Sequence, residues 1–185
     1  MRYLKCLLAC MCVGLALSLA VGCEKSKEET VSYTYNTYFE IGTIVEDSTD
    51  IVKGKIIDFR TESINISLDE NEMIRDYVVV DVLVTDNVKG ENKKDDVIQV
   101  KYPVELKNEF DEKLLRNEEY LLFLINYNDV DENMPMSLVN AEQSVVDFNV
   151  NVYAFGDDED DELDIFKNIP KNELVDHIRD NYINK

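Results

Sequence analysis

The residues that usually carry chemistry are few in this chain. It has one histidine, His177, and four cysteines, Cys6, Cys10, Cys12 and Cys23. A histidine works as a general base only beside a nucleophile and an orienting partner. His177 falls on a C-terminal helical pattern, off the apolar face marked by Leu174, Ile178 and Tyr182, and reads as a solvated surface residue. One histidine without a spare cysteine cannot build the usual nitrogen and sulfur zinc site. Paired carboxylates remain as a route to glycoside hydrolysis, which needs two of them about 5–9.5 Å apart. Among 39 acids some pair will meet that spacing by chance, and nothing in the sequence selects one. No catalytic residue and no cofactor is therefore assigned.

Calcium is the sharper option. Asp157-Asp158-Glu159-Asp160-Asp161-Glu162 concentrates the hard oxygen ligands that Ca²⁺ prefers. An EF-hand threaded from Asp157 makes use of Glu159 and Asp161. It then puts Glu162 where the loop needs glycine and Asn168 where it needs a bidentate glutamate, so that reading fails. An irregular, weak Ca²⁺ site stays open against the default for six adjacent acids, a solvated and mutually repelling loop.

Cys23 closes a different pattern. Arg2 and Lys5 precede a stretch without charge from Leu7 to Gly22, 16 residues long. A helical membrane span wants about 20 apolar residues, so this run is short for one. A basic start, a short apolar centre and small residues before a cut are the layout of a secretory signal. Ala20-Val21-Gly22-Cys23 resembles the lipobox of bacterial lipoproteins, with Ala20 where leucine is commonest. The resemblance implies cleavage before Cys23 and a diacylglycerol on its sulfur. Cys6, Cys10 and Cys12 would leave with the leader, and acylation accounts for the one thiol left over. An uncleaved, tilted N-terminal anchor is the alternative. Both place the rest of the chain outside the cytoplasm. Two or three acyl chains, at about 0.8 kcal/mol per buried methylene, hold a small domain durably.

Taking residues 1–22 away leaves 163, the size of one ordinary domain, with 17 basic residues against 39 acidic ones and a net charge of −22. Such a surface repels phosphate polymers and anionic lipid heads, which argues against nucleic-acid binding. It favours cations, basic peptides or plain solubility.

The expected organisation is a leader over 1–22, a lipidated flexible tether over 23–32 and a single domain over 33–185. Thr37 and Glu40 have capping-box spacing ahead of Ile41, Ile44 and Val45, which predicts a short helix. Strands are expected over 50–59, with a bend or bulge at Gly54, briefly around Ile64 and Ile66, and over 77–85, 97–102, 120–125 and 144–153. In the third of these Val78, Val80, Val82 and Val84 share a face. Tyr120 to Ile125 is apolar on both faces and reads as a central strand. In the last, Val146, Phe148, Val150 and Val152 should point inward and Asp147, Asn149 and Asn151 outward. A helix follows from Pro170. The pattern predicts a mainly β fold, a closed or nearly closed barrel or a sandwich.

Three fragments sharpen this. Thr49-Asp50-Ile51-Val52-Lys53-Gly54-Lys55-Ile56 resembles the opening strand of netrin-like domains, the barrels shared with tissue inhibitors of metalloproteases. Val88-Lys89-Gly90 resembles the turn after their long second strand, and Leu115 to Leu124 resembles their tyrosine strand. Asn117 stands where that family has glycine, and asparagine tolerates the same left-handed backbone. The likeness, spanning roughly residues 39–152, implies an oligonucleotide/oligosaccharide-binding (OB)-like five-stranded barrel; with the strand and helix patterns above, the expected fold is an OB-like barrel of five or six strands with a short N-terminal and a C-terminal helix. This layout is found in small secreted proteins of Gram-positive bacteria. The free N-terminal cysteine of the metalloprotease inhibitors has no counterpart once Cys23 is acylated, so a shape transfers and no functional residue does.

The functional expectation is a lipid-anchored module at the extracytoplasmic face of the bacterial cell membrane, engaging an envelope protein and no nucleic acid. The rival is a carboxylate-dependent hydrolase acting on cell-wall glycan or peptide, marked by two acids in one cleft, at least one with a raised pKa. A two-lobed solute-binding protein would need a longer chain. Without tryptophan, sugar stacking would fall to Tyr33, Tyr35 and Tyr38, which read as packing over the barrel mouth or edge pairing.

Overall fold

The computed structural model describes residues 36–67, 73–107, 114–131, 133–148 and 165–185. The leader, Cys23, the tether, Tyr33, Tyr35, positions 149–153 of the last expected strand and the acidic run Asp157 to Glu162 lie outside the described residues. The chain divides into two compact units, Met1–Thr34 and Tyr35–Lys185, and the second holds all the described residues.

Its alternating segments form β1 (Asp50–Asn65), β2 (Ile74–Lys89), β3 (Val97–Pro103), β4 (Glu119–Ile125), β5 (Met136–Leu138) and β6 (Val145–Asp147). The hydrogen-bonded order β1-β2-β3-β5-β4 returns from β4 to β1, so five strands close a ring. The β3–β5 pair is parallel and the others are antiparallel. Strand β6 pairs with the first half of β4, while β5 pairs with its last two residues. This is the expected mainly β, OB-like barrel, with helix α1 (Ile41–Asp47) before it and α2 (Lys171–Ile178) after it.

Period-two patterning explains the closure. Val78, Val80, Val82 and Val84 of β2 meet Val52, Ile56, Ile98, Val100, Tyr120, Leu122 and Leu124 in one buried core inside the ring. The opposite face of β4, Leu121 and Phe123, enters a second core with Ile44 and Val45 of α1, Leu174 and Ile178 of α2, and Phe166. The rings of Phe123 and Phe166 stack 5.5 Å apart. Each fully buried Leu, Ile or Phe contributes roughly 1.5–3 kcal/mol, so a strand apolar on both faces welds the two cores together.

Local signals gave way to tertiary ones in several places. The first helix begins at Ile41, with Glu40 as its cap and no side-chain cap bond, so the Thr37 capping box does not form. Tyr38 is held by long-range partners instead: its N–H donates to Gln143 Oε1 at 2.8 Å and its hydroxyl to Asp47 at 2.8 Å. Burial and the Asp47 carboxylate push the Tyr38 pKa up to about 12. The two strand candidates before residue 67 merge into one 16-residue β1, with a register shift at Lys53/Gly54. A Cβ at Gly54 would lie 2.5 Å from Val82 Cγ1, which is why glycine marks the bulge. Strand β5, three residues long, carries no readable alternation. Asp147, expected outward, is 8% exposed, because β6 lies between the two cores with Val145 in one and Val146 in the other. The α2 face also changes. A wider π-type turn, Arg179–Ile183, comes after the helix, so Ile183 packs on the second core and Tyr182 is left 36% exposed over Gly42.

Polar residues at the ends of these strands pack into a buried knot. Asp50, 2% exposed, accepts hydrogen bonds from Thr49 Oγ1, Asn92 Nδ2 and Asn126 Nδ2, joining β1 to the β2–β3 and β4–β5 connections. Gly90, at φ +97°, leaves the room: a Cβ there would collide with the Asp50 carboxylate. Lys89 Nζ donates to the Val45 carbonyl at 2.7 Å and to that of Ser48, closing the C-terminal end of α1. Asn117 takes φ 67°, as its place in a left-handed turn requires.

Candidate functional site

Four basic side chains meet beside α2. Lys53, Lys167, Lys171 and Arg179 line one concavity of about 790 Å³, with two acids, Asp86 and Asp176, in the same wall. Its lining is thus net positive on a chain of net charge −20.

The barrel and the helix each contribute. Lys53 sits at the β1 bulge, pairs with Glu119 at 2.7 Å and lies 4.6 Å from the centre of the Phe148 ring. Glu119 also accepts from Thr85 Oγ1 at 2.8 Å. Burial pushes the Glu119 pKa up, but the hydrogen bonds from Lys53 and Thr85 and the charges of Lys53 and Lys55 outweigh it and hold it below the usual range. That is the reverse of what a general acid needs. Arg179 opens the π-type turn and is clamped by Asp86 at 2.7 Å and the Asn87 carbonyl at 2.9 Å. Lys171 donates to the Asp147 carbonyl at 2.7 Å. Phe148, Ile169 and Val175 supply apolar wall.

A second surface lies at the far end of β1. Up to Lys55 that strand pairs with both β2 and β4, and Ile56 still bonds to the Asn117–Glu118 turn. From Asp58 to Asn65 it pairs with β2 alone among the described residues. Charges cover this two-stranded arm: Arg60 bridges Glu62 and Asp81, Arg116 reaches Asp58, and Ser63 donates to Asp76 at 2.6 Å. Exposed Ile57, Met73 and Ile74 flank it.

Lys101 is another buried ionisable group that the sequence hides. Strand alternation puts it on the outer face of β3, yet it is 4% exposed, with Nζ on the Pro135 carbonyl at 2.9 Å and 4.2 Å from the Tyr127 ring centre. Burial pushes its pKa down to about 8. The β4–β5 connection that covers it is remote in sequence, which is why no local signal could have found it. Closed off this way, Lys101 has the pKa of a nucleophile without the access.

His177 lies half-buried at the surface, its ring 6.0 Å from that of Tyr182, and its carbonyl accepts from Asn181. The wider turn brings Tyr182 back toward it. No group of three or more His, Cys, Asp or Glu side chains suited to a metal occurs among the described residues, and the Asp157 to Glu162 run lies outside them. No protein-family model matches the chain, and a search of curated proteins finds no match.

Proposed function

We propose that this protein is a binding or assembly module, anchored through a lipid on Cys23 to the extracytoplasmic face of a bacterial cell membrane, that engages an envelope protein. The anchor rests on the charge-free run from Leu7 to Gly22 ending in Ala20-Val21-Gly22-Cys23. The observation that carries the binding half is that, among the described residues, β1 from Asp58 to Asn65 pairs on one side only. Such an edge turns backbone N–H and C=O groups outward, ready to add a strand from another chain. Its charged side chains discourage indiscriminate pairing and leave selection to a partner with matching charges.

The test is in-cell cross-linking and pull-down of the tagged full-length chain, with Cys23→Ala as the unanchored control. One dominant envelope protein, captured only when Cys23 is present, is the expected result. An anchored, folded chain that captures no protein would overturn the reading and turn attention to hydrolysis of wall glycan or peptide.

A further inference from the structure

We propose that β1 from Asp58 to Asn65 pairs with the same edge of a second copy of the chain, antiparallel and centred on Thr61, to make a two-fold dimer at the membrane. The inference rests on the edge-binding reading above and names its partner, since a second anchored copy is itself an envelope protein.

The strand is regular over this stretch. The register shifts of β1 end at Ile56/Asp58, and from there to Asn65 it pairs with β2 residue by residue. Its sequence, Asp-Phe-Arg-Thr-Glu-Ser-Ile-Asn, holds neither proline nor lysine, two of the usual guards of an exposed edge. Among the described residues no strand other than β2 bonds to it there. Phe59 N–H meets the carboxylate of its neighbour Asp58 at 2.9 Å, an exposed contact that does not close the edge. Thr61 is exposed as well.

Charge selects both the occupant and the register. Directly opposed residues of antiparallel strands share a face, so a two-fold axis must pass where one residue meets its own copy. With Thr61 there, Arg60 faces Glu62 of the second copy, Glu62 faces its Arg60, Phe59 faces Ser63 and Asp58 faces Ile64. No like charges are opposed, and Thr61 on Thr61 is a favourable cross-strand pair. Centring on Arg60 sets Asp58 on Glu62, centring on Glu62 sets that acid on itself, and centring on Phe59 or Ser63 shortens the overlap. Arg60 bridges Glu62 and Asp81 in its own chain and keeps those contacts. The backbone makes the new bonds, and the charges only choose the register. Among the arm's described residues, Asp58, Glu62, Asp76 and Asp81 stand against Arg60, Arg75 and Arg116, whereas the whole chain sets 39 acids against 19 bases. So acidic a chain meets its copy with little repulsion at this arm, since distant acids are screened beyond about 8 Å at physiological salt. The contact is small for a free dimer, and anchoring in one membrane raises the effective concentration.

The experiment is disulfide trapping in cells, on the full-length anchored chain with Thr61→Cys. Opposed Cα atoms of an antiparallel pair lie about 4.5–5.5 Å apart, within disulfide reach. Oxidant should yield a dimer of twice the chain's mass, above the level given by the parent chain and by Glu142→Cys. Arg60→Cys, two residues out of register with its own copy, should yield none. Beside Thr61→Cys, either Arg60→Glu or Glu62→Arg should lower trapping about tenfold, because the two-fold repeats each like-charge pair. Coexpression of those two variants should restore it, since each then opposes the other's charge. A melting temperature equal to the parent's certifies that the variants fold. No dimer, equal trapping in Arg60→Glu, or no rescue between folded variants overturns the second copy. A photoreactive residue at Thr61 then separates the two readings. A cross-link to a different envelope protein leaves the edge-binding reading standing, and none to any protein, in a folded and anchored chain, overturns both.

Discussion

The Asp50 knot and the concavity beside α2 use the same kinds of side chain to opposite ends. In the knot one carboxylate is withdrawn from water, ringed by Thr49, Asn92 and Asn126, and closed over by a glycine that admits nothing else. In the concavity, cations from β1 and the C-terminal segment converge on space left open. A buried polar group with every partner supplied fixes which strands meet, and its loss is felt as instability. The cations around the concavity hold partly exposed ion pairs and hydrogen bonds, and such surface contacts add little to folding. Mutation should separate the two regions cleanly.

The largest effect is expected at Gly90. Gly90→Ala forces a left-handed backbone on alanine and drives a methyl into the Asp50 carboxylate, for a loss of about 2–5 kcal/mol in urea unfolding. A loss below about 1 kcal/mol would mean that the knot yields easily and the contrast is overstated. Next is Gly54→Ala, where overpacking against Val82 should cost about 1–3 kcal/mol by the same measurement.

Lys101 offers a comparison through pH. Its folded pKa of about 8 lies below the ordinary 10.5, so between these values the unfolded chain holds a proton that the folded chain has released. This site's contribution to stability therefore rises as pH climbs from 8 to 10.5, and below 8 the full penalty of burying the charge stands. Lys101→Met removes the penalty. Its stability relative to the parent should be highest below pH 8 and fall by about 1–3 kcal/mol toward pH 10.5, read from urea unfolding at each pH. A difference independent of pH would show that Lys101 is not desolvated. The smallest effect belongs to the concavity: Lys171→Gln, which removes the hydrogen bond to the Asp147 carbonyl, should cost about 0.5–1.5 kcal/mol in urea unfolding.

These regions also differ in how far the sequence announces them. Alternation at Val78, Val80, Val82 and Val84 and the two-faced Tyr120 to Ile125 read directly as barrel strands, because period-two burial is a local property. Asn117 was legible for the same reason, its turn being local. The Thr37 capping box failed because Gln143 and Asp47, distant in sequence or beyond the helix start, bid more strongly for Tyr38. Tyr182 fell off the predicted face because one π-type turn shifts the register by a residue. The concavity draws on positions 53, 86, 148 and 167–179, and no spacing rule joins lysines so far apart. Lys101 looks solvated in the sequence because the β4–β5 connection that covers it is remote, its Pro135 lying 34 residues away.

Whether β1 offers the edge left unpaired among the described residues to an envelope protein is read most directly by site-specific photo-cross-linking in cells. A photoreactive residue at Thr61, exposed on that arm, is compared with one at exposed Glu142, both in the full-length anchored chain. A single envelope protein cross-linked from Thr61, and none from Glu142, is the expected result. Capture from Glu142 alone, or from neither position in a folded and anchored chain, would contradict it.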